Sequence, residues 1–289
     1  MEAFALYRIV EKKQLNSTVF RLVVSAPAVA AKAQPGQFVI LRVDETGERI
    51  PLTVADYDPA AGTVTVIVQA VGATTLQLSR MRVGEELADF VGPLGRATET
   101  DGLQKVAVVG GGVGCAIAYP VAKKLHALGC EVDSIIGFRH ADMVILQKEF
   151  EQVSERMFLV TDDGSAGEKG LVTDVLRQRI DSGVRYDRVI AIGPLPMMKF
   201  VSLLTKEYGI PTVVSMNPVM IDGTGMCGGC RLTVGGEMKF ACVDGPEFDG
   251  HLVDFDEAME RGGMYREQES HAYEAACHLL NKEGDSYAQ

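Results

Sequence analysis

Along this chain the period of hydrophobic and polar positions changes, and the changes mark its segments. In the first hundred residues the apolar runs are short and β-rich, at residues 4–10, 18–25, 37–43 and 63–70. In Thr63-Val64-Thr65-Val66-Ile67-Val68 the valines alternate, as on a strand buried on one face. Pro35-Gly36, Thr46-Gly47, Asp58-Pro59 and Ala61-Gly62 punctuate the runs as turns. Short strands with turns between them predict a small antiparallel barrel over residues 1–100. Gly72-Ala73-Thr74-Thr75 then opens a helix through Leu76 and Leu78.

Beyond Gly102 the pattern becomes an alternation of strands and helices. Lys105-Val106-Ala107-Val108-Val109 reads as a buried strand, Gly110-Gly111-Gly112-Val113-Gly114 as a turn, and a helix begins near Cys115. Strands are expected at Glu131–Phe138, 157–161, Asp187–Ile192 and Thr212–Met216, with helices at 144–153, 171–181 and 196–208. This order implies a parallel sheet with right-handed crossovers over residues 101–217. A cysteine-bearing segment follows at 218–250, then a tail at 251–289. In the tail, Ser270–Lys282 reads as a helix with Ala272, Ala275, Ala276, Leu279 and Leu280 on one side. Such a helix either packs on its own domain or docks on a partner.

Composition narrows the picture. The chain has 289 residues, 47% hydrophobic and 23% charged, an ordinary globular balance. Its net charge of −11 argues against a nucleic-acid surface. No apolar run is long enough to span a membrane, and the first residues do not read as a signal peptide. Six cysteines in a chain this long do not make a disulfide framework, so Cys115, Cys130 and Cys277 are expected to be reduced. A soluble cytoplasmic protein is expected.

The candidate chemistry concentrates in Asp222-Gly223-Thr224-Gly225-Met226-Cys227-Gly228-Gly229-Cys230, with Cys242 following after eleven intervening residues. With a cysteine at position 222 the run would have the plant-type [2Fe–2S] spacing, C-x4-C-x2-C…C. Glycines let the backbone curl around a cluster and offer N–H groups to its sulfides. A structural zinc site or a redox dithiol is the alternative for the cysteines, and a turn residue the alternative for Asp222. A carboxylate carries the charge of a thiolate but is a harder donor.

Two barrel segments are candidate cofactor sites. Arg49-Ile50-Pro51-Leu52-Thr53 places a guanidinium and a hydroxyl four apart, on one side of an extended segment, suited to a pyrophosphate and an isoalloxazine edge. Gly72, Thr74 and Thr75 at a helix start form a potential anion site. A surface arginine and an ordinary N-cap are the plainer readings. In the second segment, strand, glycine turn and helix would seat a pyrophosphate on a helix N-terminus at Gly110, Gly111, Gly112 and Gly114, although Cys115 stands where the last fingerprint glycine belongs. A tight turn without ligand is the alternative. Ligand residues should lie at the C-terminal strand ends, which carry Arg139, Asp162-Asp163 and Gly193-Pro194. Arg139 would meet an adenosine phosphate or a surface carboxylate. An aspartate near the ribose would repel a 2′-phosphate, favouring NAD(H) over NADP(H).

Together these segments resemble the ferredoxin–NADP reductase-like flavoproteins over almost the whole length. The resemblance rests on Arg49-x-x-x-Thr53, Gly92-Pro93-Leu94-Gly95, the Gly110–Gly114 loop and Gly193-Pro194. It implies a ferredoxin reductase-like fold: an FAD-binding β barrel, a Rossmann-like α/β domain for NAD(H), and a C-terminal [2Fe–2S] segment. Within that family the chain resembles dihydroorotate dehydrogenase electron-transfer subunits. It resembles more closely the small subunits of NADH-dependent reduced ferredoxin:NADP oxidoreductases, labelled sulfide dehydrogenase beta subunit-like, in which one aspartate and three cysteines hold the cluster. Asp222, Cys227, Cys230 and Cys242 match that set, and Asp222 discriminates between the two groups. The resemblance implies an electron-transfer subunit working as a heterodimer with a larger flavin and iron–sulfur subunit, and with ferredoxin indirectly. No catalytic side chain is expected, since hydride transfer between nicotinamide and flavin needs no acid–base group. The reading from a different class is a zinc-stapled, nucleotide-binding regulatory subunit.

Overall fold

The computed structural model describes residues 7–286, with side chains through residue 277. The first sheet contains β1 (Tyr7–Gln14), β2 (Val19–Ser25), β3 (Phe38–Arg42), β4 (Ile50–Asp58), β5 (Thr63–Gln69), β6 (Glu86–Leu87) and β7 (Asp89–Leu94). Two helices join them, α1 (Pro27–Ala30) and α2 (Ala73–Arg80). The strand order is β6-β1-β2-β5-β4-β3-β7, with antiparallel neighbours. β6 and β7 form the two edges, yet Ala88 alone separates them along the chain, and its N–H bonds to Val43 O. The sheet therefore curls into a nearly closed barrel. Val64, Val66 and Val68 point inward onto Phe20, Leu22, Leu41 and Phe90, as the alternation requires.

β4 and β5 do not stay together. They pair from Asp58 back to Val54, after which β4 continues with β3 alone while β5 continues with β2 alone. Pro51 lies in the part of β4 that lacks a β5 neighbour, where a missing N–H costs no ladder bond on that side. The divergence opens the barrel wall between residues 51–53 and 67–69.

The second sheet is built from β8 (Lys105–Gly111), β9 (Glu131–Phe138), β10 (Arg156–Thr161), β11 (Glu168–Lys169), β12 (Arg188–Ile192) and β13 (Thr212–Ser215). Its helices are α3 (Cys115–Ala127), α4 (Gln147–Val153), α5 (Val172–Asp181) and α6 (Leu195–Glu207). The order β11-β10-β9-β8-β12-β13 is parallel throughout. From β8 the chain winds outward through β9 and β10, then returns to the other side of β8 as β12. The strand order thus reverses between β8 and β12, and in open α/β sheets ligands bind at such a crevice.

The cysteine-bearing segment adds the hairpin β14 (Arg231–Val234) and β15 (Glu237–Phe240), the turn α7 (Ala241–Asp244), the strand β16 (Glu247–Asp249), α8 (Phe255–Gly262) and α9 (Arg266–Ser286). β16 pairs antiparallel with β13, which stitches the segment onto the second sheet. Cys230, Leu232, Ala241, Cys242 and Phe248 accordingly share one core with Ala191, Val214, Phe38 and Ile40. α9 lies against α2 of the barrel rather than on its own segment. The expected apolar face is only partly realised: Ala276 is half-buried, but Ala272 and Ala275 are exposed, while Tyr273 and Cys277 face the covered side. The side chains of Leu279 and Leu280 lie outside the described residues. No helix among the described residues is long and apolar enough to cross a membrane.

Candidate functional site

The opening between β4 and β5 faces the crevice between β8 and β12, and together they enclose one cavity of about 1140 Å³. Pro51, Leu52 and Thr53 form the β4 lip, and Ile67, Val68 and Gln69 the β5 lip. Opposite stand Gly111, Gly112 and Gly114 after β8, Arg139 after β9, Asp162 after β10, and Gly193-Pro194 after β12. These sequence-expected residues, together with Thr75, are brought to one space. The volume exceeds that of a typical single-ligand pocket.

The glycine turn has two steric demands. Gly112 has φ +55°, and a Cβ built on it would meet nothing within 4 Å, so the bare backbone faces the cavity. At Gly114 a Cβ would stand 2.5 Å from Ile192 O and 2.7 Å from Gly193 Cα. Its absence lets the turns after β8 and β12 touch. Gly110 lies one layer below, where a Cβ would meet Cys115 Sγ at 2.8 Å, and it does not line the cavity. Cys115 is fully buried, and burial pushes its thiol pKa upward.

Three other expectations are corrected. Arg49 and Thr53 do not share a face, because β4 begins at Ile50 and Arg49 precedes it. The Arg49 guanidinium donates from Nε to Ile221 O (2.9 Å) and lies 3.3 Å from Asp89 Oδ2. Thr74 is buried away from the cavity, donating to Glu48 Oε2 (2.9 Å). Gly72 is the residue before α2 and is also outside the lining. Thr75 remains, its hydroxyl accepting from Val71 N (3.0 Å) and Gly72 N (2.9 Å).

The two adjacent aspartates separate in role. Asp163 Oδ1 accepts from Ser165 N (2.9 Å) and Ser165 Oγ (2.6 Å), bonds that hold its carboxyl below the usual range. Asp162 is the one on the cavity wall. The cations in that wall are Arg139 and Arg177; the latter also pairs with Glu207 (3.5 Å).

Sequence reasoning missed Gln69, Phe38, Met216, Asn217 and Met220, all of which line the cavity. Met216 and Asn217 follow β13, so the strand-end rule that found Gly193 could have found them. Phe38 and Met220 carried no local signal. They are buried in the same core as Cys230 and Cys242, so a dry wall joins the cavity to the cysteines.

On the far side of that wall, Cys230 and Cys242 are 1% and 2% exposed, with their Sγ atoms 3.3 Å apart. The Cys242 N–H approaches Cys230 Sγ at 3.5 Å. Burial, then the neighbouring Cys230, pushes the Cys242 thiol up to about 12. Cys227 sits exposed at the rim beside Met226. Asp222 accepts from Thr224 N through Oδ1 (2.9 Å) and from Cys227 N through Oδ2 (2.7 Å). Those bonds, the Thr224 one first, hold its carboxyl below the usual range. Gly223 takes φ +76° and presses on Ile40 and Leu94 of the barrel. Arg261 anchors the other end of the loop through Gly229 O (3.3 Å). Among the described residues, no three His, Cys, Asp or Glu side chains are grouped to hold a single metal ion.

Residues 217–254 match the family model described as the iron–sulfur cluster binding domain of dihydroorotate dehydrogenase B. A Thermotoga maritima protein named dihydroorotate dehydrogenase B (NAD(+)), electron transfer subunit homolog, is 48% identical, covering 95% of this chain and 96% of the relative. A chain from the solved structure of NADH-dependent reduced ferredoxin-NADP oxidoreductase, reported for its insights into flavin-based electron bifurcation, is 46% identical with a TM-score of 0.88, covering 95% of this chain and 99% of that one. The Amycolatopsis cytochrome P450 reductase GcoB is 22% identical with a TM-score of 0.58, covering 70% of this chain and 65% of that chain, a likeness of fold alone. The chain belongs to the family of dihydroorotate dehydrogenase B electron transfer subunits and their homologues.

Proposed function

We propose that this chain is the nicotinamide-handling flavoprotein subunit of a larger oxidoreductase, joining NAD(H), FAD and a [2Fe–2S] cluster in one electron path. The observation that carries the reading is a single space with the cysteines behind its wall. The barrel opening faces the β8–β12 crevice, and Phe38, Met216 and Met220 connect that space to Cys230 and Cys242. When bound, FAD would accept a hydride from NADH and release its electrons one at a time to the cluster.

The chain's own residues bind, orient and exclude water. Pro51, Leu52 and Thr53 would hold the flavin ring in the opening that β4 leaves. No lysine or arginine of the barrel lines the cavity among the described residues, so N–H groups at the start of α2 would take the flavin phosphates, with Thr75 ordering that turn through Val71 N, Gly72 N and Gly72 O. Gly111, Gly112 and Gly114 would admit the dinucleotide phosphates, with Arg139 near the adenosine end. Asp162 would accept from ribose hydroxyls and repel a 2′-phosphate, favouring NAD(H).

The donor set fits an iron–sulfur cluster. Two thiols and a carboxylate lie on the 222–230 loop, a third thiol stands on α7 beyond the hairpin, and the buried Cys230 thiol receives an N–H. Iron would displace the proton that burial keeps on the Cys242 thiol. Four donors, three on the loop and one on α7, would hold a cluster of two irons that supplies one-electron transfer.

The partner is a larger flavin and iron–sulfur subunit, with ferredoxin served through it, and the exposed rim at Met226 and Cys227 is the face turned toward it. Asp222 and the 46% identity to the NADH-dependent reduced ferredoxin-NADP oxidoreductase chain favour that assembly. The match of residues 217–254 favours a dihydroorotate-oxidising assembly as the second reading. An anaerobic NADH titration of the purified chain tests the path. Bleaching of a flavin band with a reduced [2Fe–2S] EPR signal is expected, with about two irons per chain. A colourless zinc protein would sink the reading. Reduction of NAD by dihydroorotate, in the complex with the co-purifying partner, would select the second assembly.

A further inference from the structure

Arg49 occupies a sequence position suited to a flavin phosphate, yet its guanidinium turns the other way. Its Nε donates to the carbonyl of Ile221, 172 residues along the chain and one residue before Asp222. A carbonyl oxygen lies in the same rigid plane as the next residue's N and Cα. A bond to Ile221 O therefore fixes the peptide that carries the Asp222 side chain. Other barrel contacts hold the same stretch: Gly223 is seated on Ile40 and Leu94, where a Cβ would come within 2.9 Å of Ile40 Cδ1 and 2.7 Å of Leu94 Cδ1.

The arginine is itself held. Asp89 Oδ2 receives Arg42 Nε at 2.7 Å and lies 3.3 Å from Arg49 NH1, so one carboxylate serves two guanidinium groups. Arg42 is fixed further through Glu45 O (2.8 Å). The trio carries one positive charge in excess beside the loop. Both features matter more for a carboxylate than for a thiolate. A harder donor binds iron less strongly in a sulfur site, so more depends on its being held ready.

We propose that Arg49 is a positioning residue for the Asp222 cluster ligand, clamping the loop to the barrel and placing a positive charge beside it. The inference rests on the cluster reading above. It predicts two separable effects of replacing Arg49. Loss of the clamp loosens iron, and loss of the charge makes addition of an electron less favourable.

The test uses the full chain as purified with its cofactors, comparing wild type with Arg49→Gln, Arg49→Lys and Asp89→Asn. Iron and FAD per chain, the rate of iron loss to a chelator, the EPR line shape and the cluster midpoint potential are read together. Arg49→Gln is expected to keep FAD, to lose iron about 10-fold to 100-fold faster, and to shift the midpoint downward. Arg49→Lys keeps the charge and most of the stem, so it should restore the midpoint more than the iron retention. It carries the test alone if Arg49→Gln does not fold. Asp89→Asn should loosen iron in the same direction. Loss of FAD with iron retained would overturn the inference and assign Arg49 to the flavin. Iron loss, EPR and midpoint all equal to wild type would overturn it as well. Wild type without iron would overturn the cluster reading itself, an outcome that no comparison among the variants can imitate.

Discussion

Gly112 and Gly114 stand two residues apart in one turn, yet their replacement by alanine should fail in different ways. A Cβ at Gly114 meets backbone atoms of Ile192 and Gly193, which cannot rotate aside. Gly114→Ala should therefore separate the turns after β8 and β12 and cost about 1–3 kcal/mol of stability. Gly112→Ala meets no atom but must hold φ +55°, a cost of about 1–2 kcal/mol, and its methyl projects into the cavity. Thermal denaturation should rank Gly114→Ala as the less stable. A fluorescence titration with NADH should show weakened binding in Gly112→Ala even well below its melting temperature. Equal NADH affinities for Gly112→Ala and wild type would remove that turn from the binding site. The glycine turn was legible because strand, glycine run and helix follow one another in sequence, although the contact that Gly114 makes room for is a tertiary one. The direction of Arg49 was not, since the carbonyl it meets is brought there only by the tertiary fold. Asp162 and Asp163 show the same limit on a smaller scale, because only the turn to Ser165 decides which carboxylate is left for the cavity.

At the scale of elements, the strands and helices of the second sheet were readable from alternation, most to within a residue or two of their ends. The misses have physical causes. β4 was read only as the extended stretch 49–53 and not through to Asp58; Pro51 is tolerated in it because β5 has already left that edge. β16 has three residues, too few for any period to be visible, and its place beside β13 is a long-range pairing. Beneath α5 lies an arrangement with no sequence signature at all. Asp133 on β9 is 1% exposed, and its Oδ2 receives Tyr186 OH (2.6 Å) and Arg179 NH2 (3.2 Å). Its Oδ1 has no hydrogen-bond partner among the described residues. Burial first, then the Asp133 carboxylate, pushes the Tyr186 phenol pKa upward and keeps it a donor. Tyr186→Phe should cost about 1–3 kcal/mol, whereas Arg179→Met should cost about 3–5 kcal/mol by leaving a buried carboxylate short of its cation. Urea denaturation of the two variants would show that order. Flavin content should hold in both, because the trio lies toward the end of β9 remote from the cavity. A reversed order would mean that Arg179 contributes mainly by covering Phe158.

At the scale of the whole molecule, the barrel and the second sheet are held in one arrangement by shared core residues and a few polar contacts. Lys123 on α3 bonds Asp56 on β4 (2.9 Å), Asn16 bonds Met143 O (3.2 Å), and Arg96 N bonds Gly245 O (2.7 Å). A further contact is titratable. Glu247 on β16 accepts from Thr98 Oγ1 (2.6 Å) in the linker that leaves the barrel. Its neighbour Pro246 and its strand partner Ser215 line the cavity. Burial pushes the Glu247 carboxyl up to about 7, outweighing the Thr98 hydroxyl and the Arg188 guanidinium, which act the other way; Glu99 adds to the rise. A carboxyl whose folded-state pKa is raised binds its proton more tightly when folded. Its contribution to stability is therefore present below about 4.5 and is lost as pH rises through about 7. Allowing for partial exposure, the loss should be about 2 kcal/mol. Glu247→Gln keeps the shape and an acceptor for Thr98 but cannot ionise. Wild type and variant should melt at similar temperatures near pH 5, and the variant should melt higher near pH 8.5, where the wild-type carboxylate is charged. Flavin fluorescence followed through the same transitions would show whether the cavity opens with this contact, because release of β16 frees Pro246 and Ser215 together. Melting curves that stay parallel from pH 5 to pH 8.5 would mean that the carboxylate is solvated at the junction and that the other contacts hold the two sheets without it.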